Sequence, residues 1–393
     1  MKKDKWRVVK LEDILRIDKK AVTPEESRNR PYLGLEHILK NTGEIAGGRQ
    51  DSSADVKSIK FAFDKRHILY GKLRPNLNKV ALPDFSGVCS TDIYPLLIDE
   101  SLVDRRFVGA ILRSNKFVMH ASSQARGVNL PRVEESVIYN FLVSLPPLNE
   151  QFKIAEILSK VTELILLQKQ QITKLDLMVK SRFIEMFGDP IFNPYRLPVV
   201  KLGDITTTEP QNGLYKPLSD YVQDDTGTPI LRIDAFYNGV VTDFRQLKRL
   251  RCNEIEKQRY LLCENDIVIN RVNSLEYLGK CAHIRGLLED TVFESNMMRL
   301  HVDENKFNAK YVACLLCTDY IYNQILSHAK KSVNQASINQ KDVQDFDIYM
   351  PPLESQNQFA MFVAQVDKSK FEVQQGLKQL ELQYNALMQQ YFG

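Results

Sequence analysis

PPLNEQFKIAEILSKVTELILLQKQQITKLDLMVKSRFIEMFG (Pro146–Gly188) and PPLESQNQFAMFVAQVDKSKFEVQQGLKQLELQYNALMQQYFG (Pro351–Gly393) align without a gap at a spacing of 205 positions. They share the Pro-Pro-Leu start, Gln151 with Gln356, Ala155 with Ala360, Val161 with Val366, and the closing Phe-Gly. A repeat of that period sets the architecture before any local reading does. Pro-Pro opens each stretch, no later proline interrupts it and Gly188 or Gly393 closes it, so each is predicted to be one long helix. In the first, Ile154, Ile157, Leu158, Val161, Leu164, Ile165, Ile172, Leu175, Met178 and Val179 recur at three- and four-residue steps. In the second, Phe359, Val366, Val373, Leu380 and Leu387 fall at strict sevens, the period of a coiled-coil seam.

At 1.5 Å rise per residue each helix reaches about 55 to 60 Å, too long for one small domain to bury. The economical partner of each is the other. One helix lies in the middle of the chain and one at its end, so a returning chain lays them antiparallel. The expected seam is Ile154, Ile157, Val161, Leu164 and Leu175 against Phe359, Val366, Val373, Leu380 and Leu387. The alternative is that the stripes face their own globular regions.

The duplication extends beyond the helices. Gly127-Val128-Asn129 falls on Ser332-Val333-Asn334, Arg106-Phe107-Val108 has a looser counterpart in Lys310-Tyr311-Val312, and Val8 to Ile14 echoes Val199 to Ile205. The chain therefore divides into residues 1–145, a helix at 146–188, residues 189–350 and a helix at 351–393. Runs such as His67-Ile68-Leu69-Tyr70 and Asp266-Ile267-Val268-Ile269-Asn270 read as strands between turn residues, and Ala309 to Ser327 reads as helical. The fold class is α+β: two globular regions, each with a twisted sheet, and two long antiparallel coiled-coil helices in an internal pseudo-twofold repeat.

The chain's 393 residues suit two or three domains. A net charge of +4, with both signs interspersed among 26% charged residues, excludes a polycation, so any nucleic-acid site is a local patch. Cys89, Cys252, Cys263, Cys281, Cys314 and Cys317 form no compact framework of the secreted kind, which points to a reducing cytoplasm. The N-terminal run Met-Lys-Lys-Asp-Lys-Trp has no apolar stretch behind it. No run of about 18 apolar residues occurs, so neither export nor a membrane is expected.

Two similar heads on paired helices suit a partner with two sites at fixed separation. Double-stranded DNA offers half-sites about 34 Å apart on one face. The heads differ in sequence, so the target is expected to be asymmetric. Loops that combine cations for phosphates with amide and guanidinium forks for base edges are the candidate contacts. In the first head these are Lys72, Arg74, Asn76, Asn78 and Lys79, with Gln124, Arg126, Asn129 and Arg132. In the second they are Gln211, Asn212, Tyr215 and Lys216, Arg271 and Asn273, and Lys330, Lys331, Asn334 and Gln335.

Catalytic readings lack their parts. Asn193-Pro194-Tyr195-Arg196 is missing the second proline and the glycine-rich cofactor turn of an adenine methyltransferase, and reads as a linker. Glu304-Asn305-Lys306 has no spaced acidic partner for a nuclease centre. Cys314-Leu315-Leu316-Cys317 has no second ligand pair for zinc. The histidines (His37, His67, His120, His283, His301, His328) are scattered, and Gly47-Gly48-Arg49 lacks the Lys-Ser/Thr of a phosphate loop.

These residues resemble the specificity subunits of type I restriction-modification enzymes over essentially the full chain. The resemblance is carried by Leu145-Pro146-Pro147-Leu148-Asn149-Glu150-Gln151, its repeat Met350-Pro351-Pro352-Leu353-Glu354-Ser355-Gln356, and the Gly-Val-Asn-Leu and Ser-Val-Asn-Gln loops. Lys72-Leu73-Arg74-Pro75 and Asn212-Gly213-Leu214-Tyr215-Lys216-Pro217 also look like family patterns. Ser355 stands where the family usually shows Glu. The resemblance implies two target recognition domains, a helical pair acting as a ruler, and a bipartite target with a nonspecific gap. It implies a subunit that is itself no enzyme and carries no cofactor. Two modification subunits with S-adenosylmethionine supply adenine-N6 methylation, and restriction subunits supply ATP- and Mg-dependent translocation and cleavage. Leu158, Ile165, Ile172 and Val179, beside the expected seam, are then the docking face. A coiled-coil scaffold without DNA specificity and a self-contained methyltransferase or nuclease are the competing classes.

Overall fold

The computed structural model describes residues 6–46, 57–224, 226–237, 239–241, 243–333 and 335–393. The readings placed on Met1 to Lys5, on Gly47-Gly48-Arg49 and on Asn334 lie outside the described residues. The chain divides into two units, Met1–Ile172 with Glu372–Gly393, and Thr173–Phe371. Each unit therefore owns a share of both long helices, α1 (Leu148–Phe187) and α2 (Leu353–Phe392).

In the first unit, Arg7–Lys10 pairs antiparallel with Leu142–Leu145, the strand that runs into α1. A sheet in the order Leu15–Ile17, Ile93–Ile98, Ile68–Gly71, Val80–Ala81 forms its centre. Ile68, Leu69, Tyr70 and Gly71 are all buried, because both faces of the strand are covered. Ile68 and Tyr70 join Phe107, Ile111 and Phe117 from the helices Arg105–Arg113 and Asn115–Ser123. Leu69 joins Leu33, Phe63 and Ile93 on the other side. A doubly covered strand reads as a continuous apolar run instead of an alternation.

The second unit repeats the plan. Val199–Lys201 pairs with Asp347–Tyr349, the strand that runs into α2. Ile267–Asn270 is again buried throughout, with Ile267 and Ile269 facing a helical layer and Val268 facing a second core with Phe236 and Phe293. The helical stretch expected over Ala309 to Ser327 is broken into Ala309–Leu316 and Asp319–His328. The Thr318 hydroxyl donates to the Leu315 carbonyl at the joint.

The glutamine common to both repeats fastens each helix start to its unit. The Gln151 amide donates to the carbonyls of Pro146 and Leu102, and its oxygen accepts from the Asp104 amide at 3.0 Å. Gln356 does the same with Pro351, Lys306 and the Asn308 amide. Asp104 and Asn308 in turn cap the helices that begin at Arg105 and Ala309. At the far end of α1, Gly188 at φ +78° closes the helix, its amide donating to Ile184.

Within each unit the helices run antiparallel. In the second, Lys370 pairs with Asp176 at 2.5 Å while Phe359 packs edge-on against Phe183 and Phe187. In the first, Lys169 pairs with Glu381 at 3.2 Å. Ile154, Val161 and Leu175 lie on the covered side of α1, and Phe359, Val366, Val373, Leu380 and Leu387 on that of α2. Two residues assigned to the seam do not belong there: Ile157 is 42% exposed and Leu164 is 48% exposed. Leu158, expected on the outer face, is 4% exposed, and Ile165, Ile172 and Val179 follow it inward. The covered stripe keeps the Ile154, Val161 and Leu175 row and exchanges the Ile157 and Leu164 row for that of Leu158, Ile165, Ile172 and Val179. The ends decide this: Ile154, Ala155 and Leu158 are captured by the core of the first unit, and Phe183 and Phe187 by that of the second. The alternative in which the stripes face their own globular regions thus holds for the start of each helix, at Ile154 to Leu158 and at Phe359, and not for the far ends, where Phe183 and Phe187 of α1 lie in the second unit's core and Tyr391 of α2 in the first unit's.

Candidate nucleic-acid interface

In the first unit the strand Ile68–Gly71 leaves the sheet and its continuation keeps pairing. Leu73 bridges to Arg132, and Arg132 bridges to Arg126. The Lys72 amide donates to the Asp92 carbonyl and the Val133 amide to the Lys72 carbonyl. Segments 72–79, 90–94 and 126–133 are therefore one cluster. Arg74 sits at φ +51°, a costly backbone for a non-glycine residue. The loop imposes it: the Arg74 amide donates to Pro131 at 2.7 Å and its carbonyl accepts from Leu77.

The cations of this cluster are aimed by partners the sequence did not reveal. Arg132 is held on both oxygens of Asp92, at 2.9 and 3.3 Å. Lys72 lies over the Tyr94 ring at 4.9 Å, and its burial there pushes the ammonium pKa down. Lys19 shares the same ring and pairs with Glu135. Arg126, 80% exposed, pairs with Glu134 at 2.9 Å. Arg74 reaches to 3.5 Å from the Asn129 carbonyl. Asn76 and Asn129 are exposed, and the Gln124 amide lies 3.1 Å from His120. Asn78 and Lys79 serve the fold instead: the Asn78 amide donates to the Arg113 carbonyl and Lys79 to the Leu35 carbonyl.

The second unit builds the counterpart from different residues. After Ile267–Asn270 come Arg271 and the strand Val272–Asn273, which pairs with Ala336–Ser337, itself paired with Lys330–Lys331. The Val272–Ser337 register occupies the place of Leu73–Arg132. The Arg271 amide donates to Asn296 and its guanidinium to Ser295 at 3.2 Å. Ser295 donates to Leu214, and the Gln340 side chain donates to Pro210 at 2.5 Å. Loops 210–217, 271–273, 295–297 and 335–340 thus meet. Gly213 permits this, since a Cβ there would stand 2.4 Å from the carbonyl oxygens of Phe293 and Glu294.

Lys330, Lys331 and Gln335 are exposed, and Tyr215 is 77% exposed. Asn273 accepts from the Ser274 amide at 2.7 Å. Gln211 is engaged with Arg299 and the Arg259 carbonyl, and Lys216 with Glu256 at 2.8 Å, a bond that raises the lysine pKa. Asn212 Oδ1 and Arg271 Nε are buried without a protein partner. Asp92, Tyr94, Lys19, Ser295 and Gln340 escaped the sequence reading, because each acts across a separation that no local pattern records. Only the polar, turn-rich loops themselves carried a signal.

Among the described residues no group of three or more His, Cys, Asp or Glu side chains is arranged to hold a metal ion, and no helix is long and apolar enough to cross a membrane. Cys317, exposed at the end of the helix Ala309–Leu316, lies with its sulfur 3.3 Å from that of buried Cys281.

Comparison with known proteins agrees with the duplication. The family model described as type I restriction modification DNA specificity domain matches residues 3–177 and again 197–382. The specificity subunit of the type I restriction enzyme EcoKI of Escherichia coli (strain K12) is 25% identical over 285 residues, 69% of this chain and 60% of that protein. That of EcoDI of Escherichia coli is 31% identical over 149 residues, 38% of this chain and 33% of its own length. The MjaVIII specificity subunit of Methanocaldococcus jannaschii is 22% identical, with 92% of this chain and 86% of that one aligned. The chain thus spans a third to three-fifths of the two Escherichia coli proteins. The crystal structure of a type I restriction-modification S subunit from M. genitalium shares the fold, with a TM-score of 0.62 at 16% identity, covering 99% of this chain and 96% of that one. With both halves matched by one domain model, the chain belongs to the type I restriction-modification DNA specificity family.

Proposed function

We propose that this chain is the sequence-reading, non-catalytic subunit of a type I restriction-modification complex, recognising a bipartite and asymmetric DNA target. The observation that carries the reading is the pair of loop clusters at duplicated positions, around Lys72 and Arg132 in one unit and Arg271 and Lys330 in the other. Each combines cations for phosphates with side chains able to read base edges. The clusters share a backbone plan and differ in residues, as two readers of different half-sites should.

The chemistry then belongs to partners: two modification subunits with S-adenosylmethionine for adenine-N6 methylation, and restriction subunits with ATP and Mg, acting in the cytoplasm. The apolar side chains that α1 leaves exposed support a docking face, Ile157, Leu164 and Leu167 in the first unit and Leu177, Met178 and Ile184 in the second. The test is co-expression with the cognate modification subunit and genome-wide mapping of methylated adenine. The expected result is a two-part motif, one part of which changes when residues 1–145 are exchanged for those of another family member. A stable complex that methylates no motif would turn the reading toward a scaffold.

A further inference from the structure

Among the described residues the two most exposed large apolar side chains are Val128, at 100%, and Val333, at 98%. Scattered exposed apolar residues are ordinary on any surface. These two occupy the same position of the duplicated sequence, Gly127-Val128-Asn129 against Ser332-Val333-Asn334, while the loops around them differ. Two independent copies of the fold therefore hold an apolar side chain fully in water at one place.

Each valine rides the end of a short hairpin. In the first unit Arg126 and Arg132 exchange both backbone hydrogen bonds, at 2.9 and 2.8 Å, and close the loop that carries Val128. Gly127 turns it at φ +112°, where a Cβ would stand 3.0 Å from the Leu130 carbonyl oxygen. In the second unit Lys330–Lys331 and Ala336–Ser337 form the stem, and Ser332 donates through its amide and its hydroxyl to the Gln335 carbonyl. At that exposure neither valine side chain packs on the loop that carries it. Both stems carry cations, Arg126 and Arg132 below one tip, each held by a carboxylate (Glu134 and Asp92), and exposed Lys330 and Lys331 below the other. An apolar point above flanking cations complements a groove whose walls are phosphates and whose floor offers one apolar group, the thymine 5-methyl.

We propose that Val128 and Val333 are the apolar base contacts of the two units, each pressed on a thymine methyl while its stem cations meet the flanking phosphates. This rests on the DNA-reading function above. The test uses the full chain in complex with its modification subunit, and as probe a duplex carrying the motif that the unaltered complex methylates. Val128→Ser is expected to weaken binding to that duplex by about tenfold, the scale of one lost base contact, and to leave binding to an off-motif duplex unchanged. Replacing thymine by deoxyuracil in one half of the motif should weaken the unaltered complex and leave the Val128→Ser complex indifferent; Val333→Ser should behave alike for the other half. Native mass spectrometry should find both variants fully assembled. Equal affinity of variant and unaltered complexes, a serine effect without a deoxyuracil effect, or loss of the modification subunit from the variant, which marks the tip as a protein contact, each overturns the inference. Failure of the unaltered complex to methylate any motif would instead remove the DNA-reading function itself.

Discussion

Gln151 is fully engaged at 1% exposure, accepting one backbone amide and donating to two carbonyls, and Gln356 repeats the arrangement at 0%. A buried backbone group left without its partner costs about 1–3 kcal/mol. Gln151→Leu fills the same space and strands two such groups, the Asp104 amide and the Pro146 carbonyl, so a loss of about 3 kcal/mol is expected in urea unfolding, against under about 1 kcal/mol for a change at the neighbouring position, Glu150→Gln. The repeat made Gln151 visible as an identity, and only the structure shows what it holds. His283 offers a second test. It is buried in the second unit, its Nε2 3.1 Å from Asn265 Oδ1, and burial, with the charges of Lys310 and Arg285 adding to it, lowers its pKa to about 4. The unfolded chain binds a proton near pH 6.5 that the folded chain refuses until about pH 4, so this contribution is present above pH 6.5 and is lost as the pH falls through that window. The full effect is about 3 kcal/mol. Thermal melts between pH 7 and 5 are expected to show a falling midpoint, and His283→Gln to flatten that fall; an unchanged slope would assign it to other groups.

The long helices were legible because their signal is long: a proline pair, an unbroken apolar repeat and a terminal glycine. Their rotation was not, because α1 carries apolar residues at two adjacent phases, Ile157 and Leu164 beside Leu158 and Ile165. What selects between them is the tertiary capture of Leu158 and Phe183 by separate cores, which no pattern within the helix records. The choice is measurable. Leu158→Ala is expected to cost about 2–5 kcal/mol, whereas Ile157→Ala or Leu164→Ala should stay within about 0.5 kcal/mol in the same denaturation assay. Equal losses would mean that the seam is not where the packing puts it. Among the strands, Ile68–Gly71 and Ile267–Asn270 were read correctly from composition, since two-sided burial demands an apolar run. The short strands that complete the loop clusters, Val272–Asn273 and Lys330–Lys331, were not, because each is only two residues long, carries at most one apolar side chain and exists by virtue of its partner.

At the scale of the whole chain, duplication poses a question that neither unit answers alone: how far apart the two half-sites lie. Under the proposed function the helices measure that gap. Each has 40 residues, and removing seven from both, at matched positions between the ends that pack on the cores, preserves the heptad phase because seven residues are two turns of the seam. The deletion shortens each helix by about 10 Å, the length of about three base pairs at 3.4 Å per step. The mapped methylation motif is therefore expected to keep both half-sites and lose about three base pairs from its gap. Three base pairs also rotate one half-site by more than a quarter of a turn about the duplex axis, at about 10.5 base pairs per turn, while the heptad deletion leaves the helix faces in register. That mismatch must be absorbed by twisting the DNA, so the shortened complex should methylate its new motif less completely than the parent methylates the old one. An unchanged gap would show that the spacing is set elsewhere, and a new half-site would show that the deletion had disturbed a reading loop.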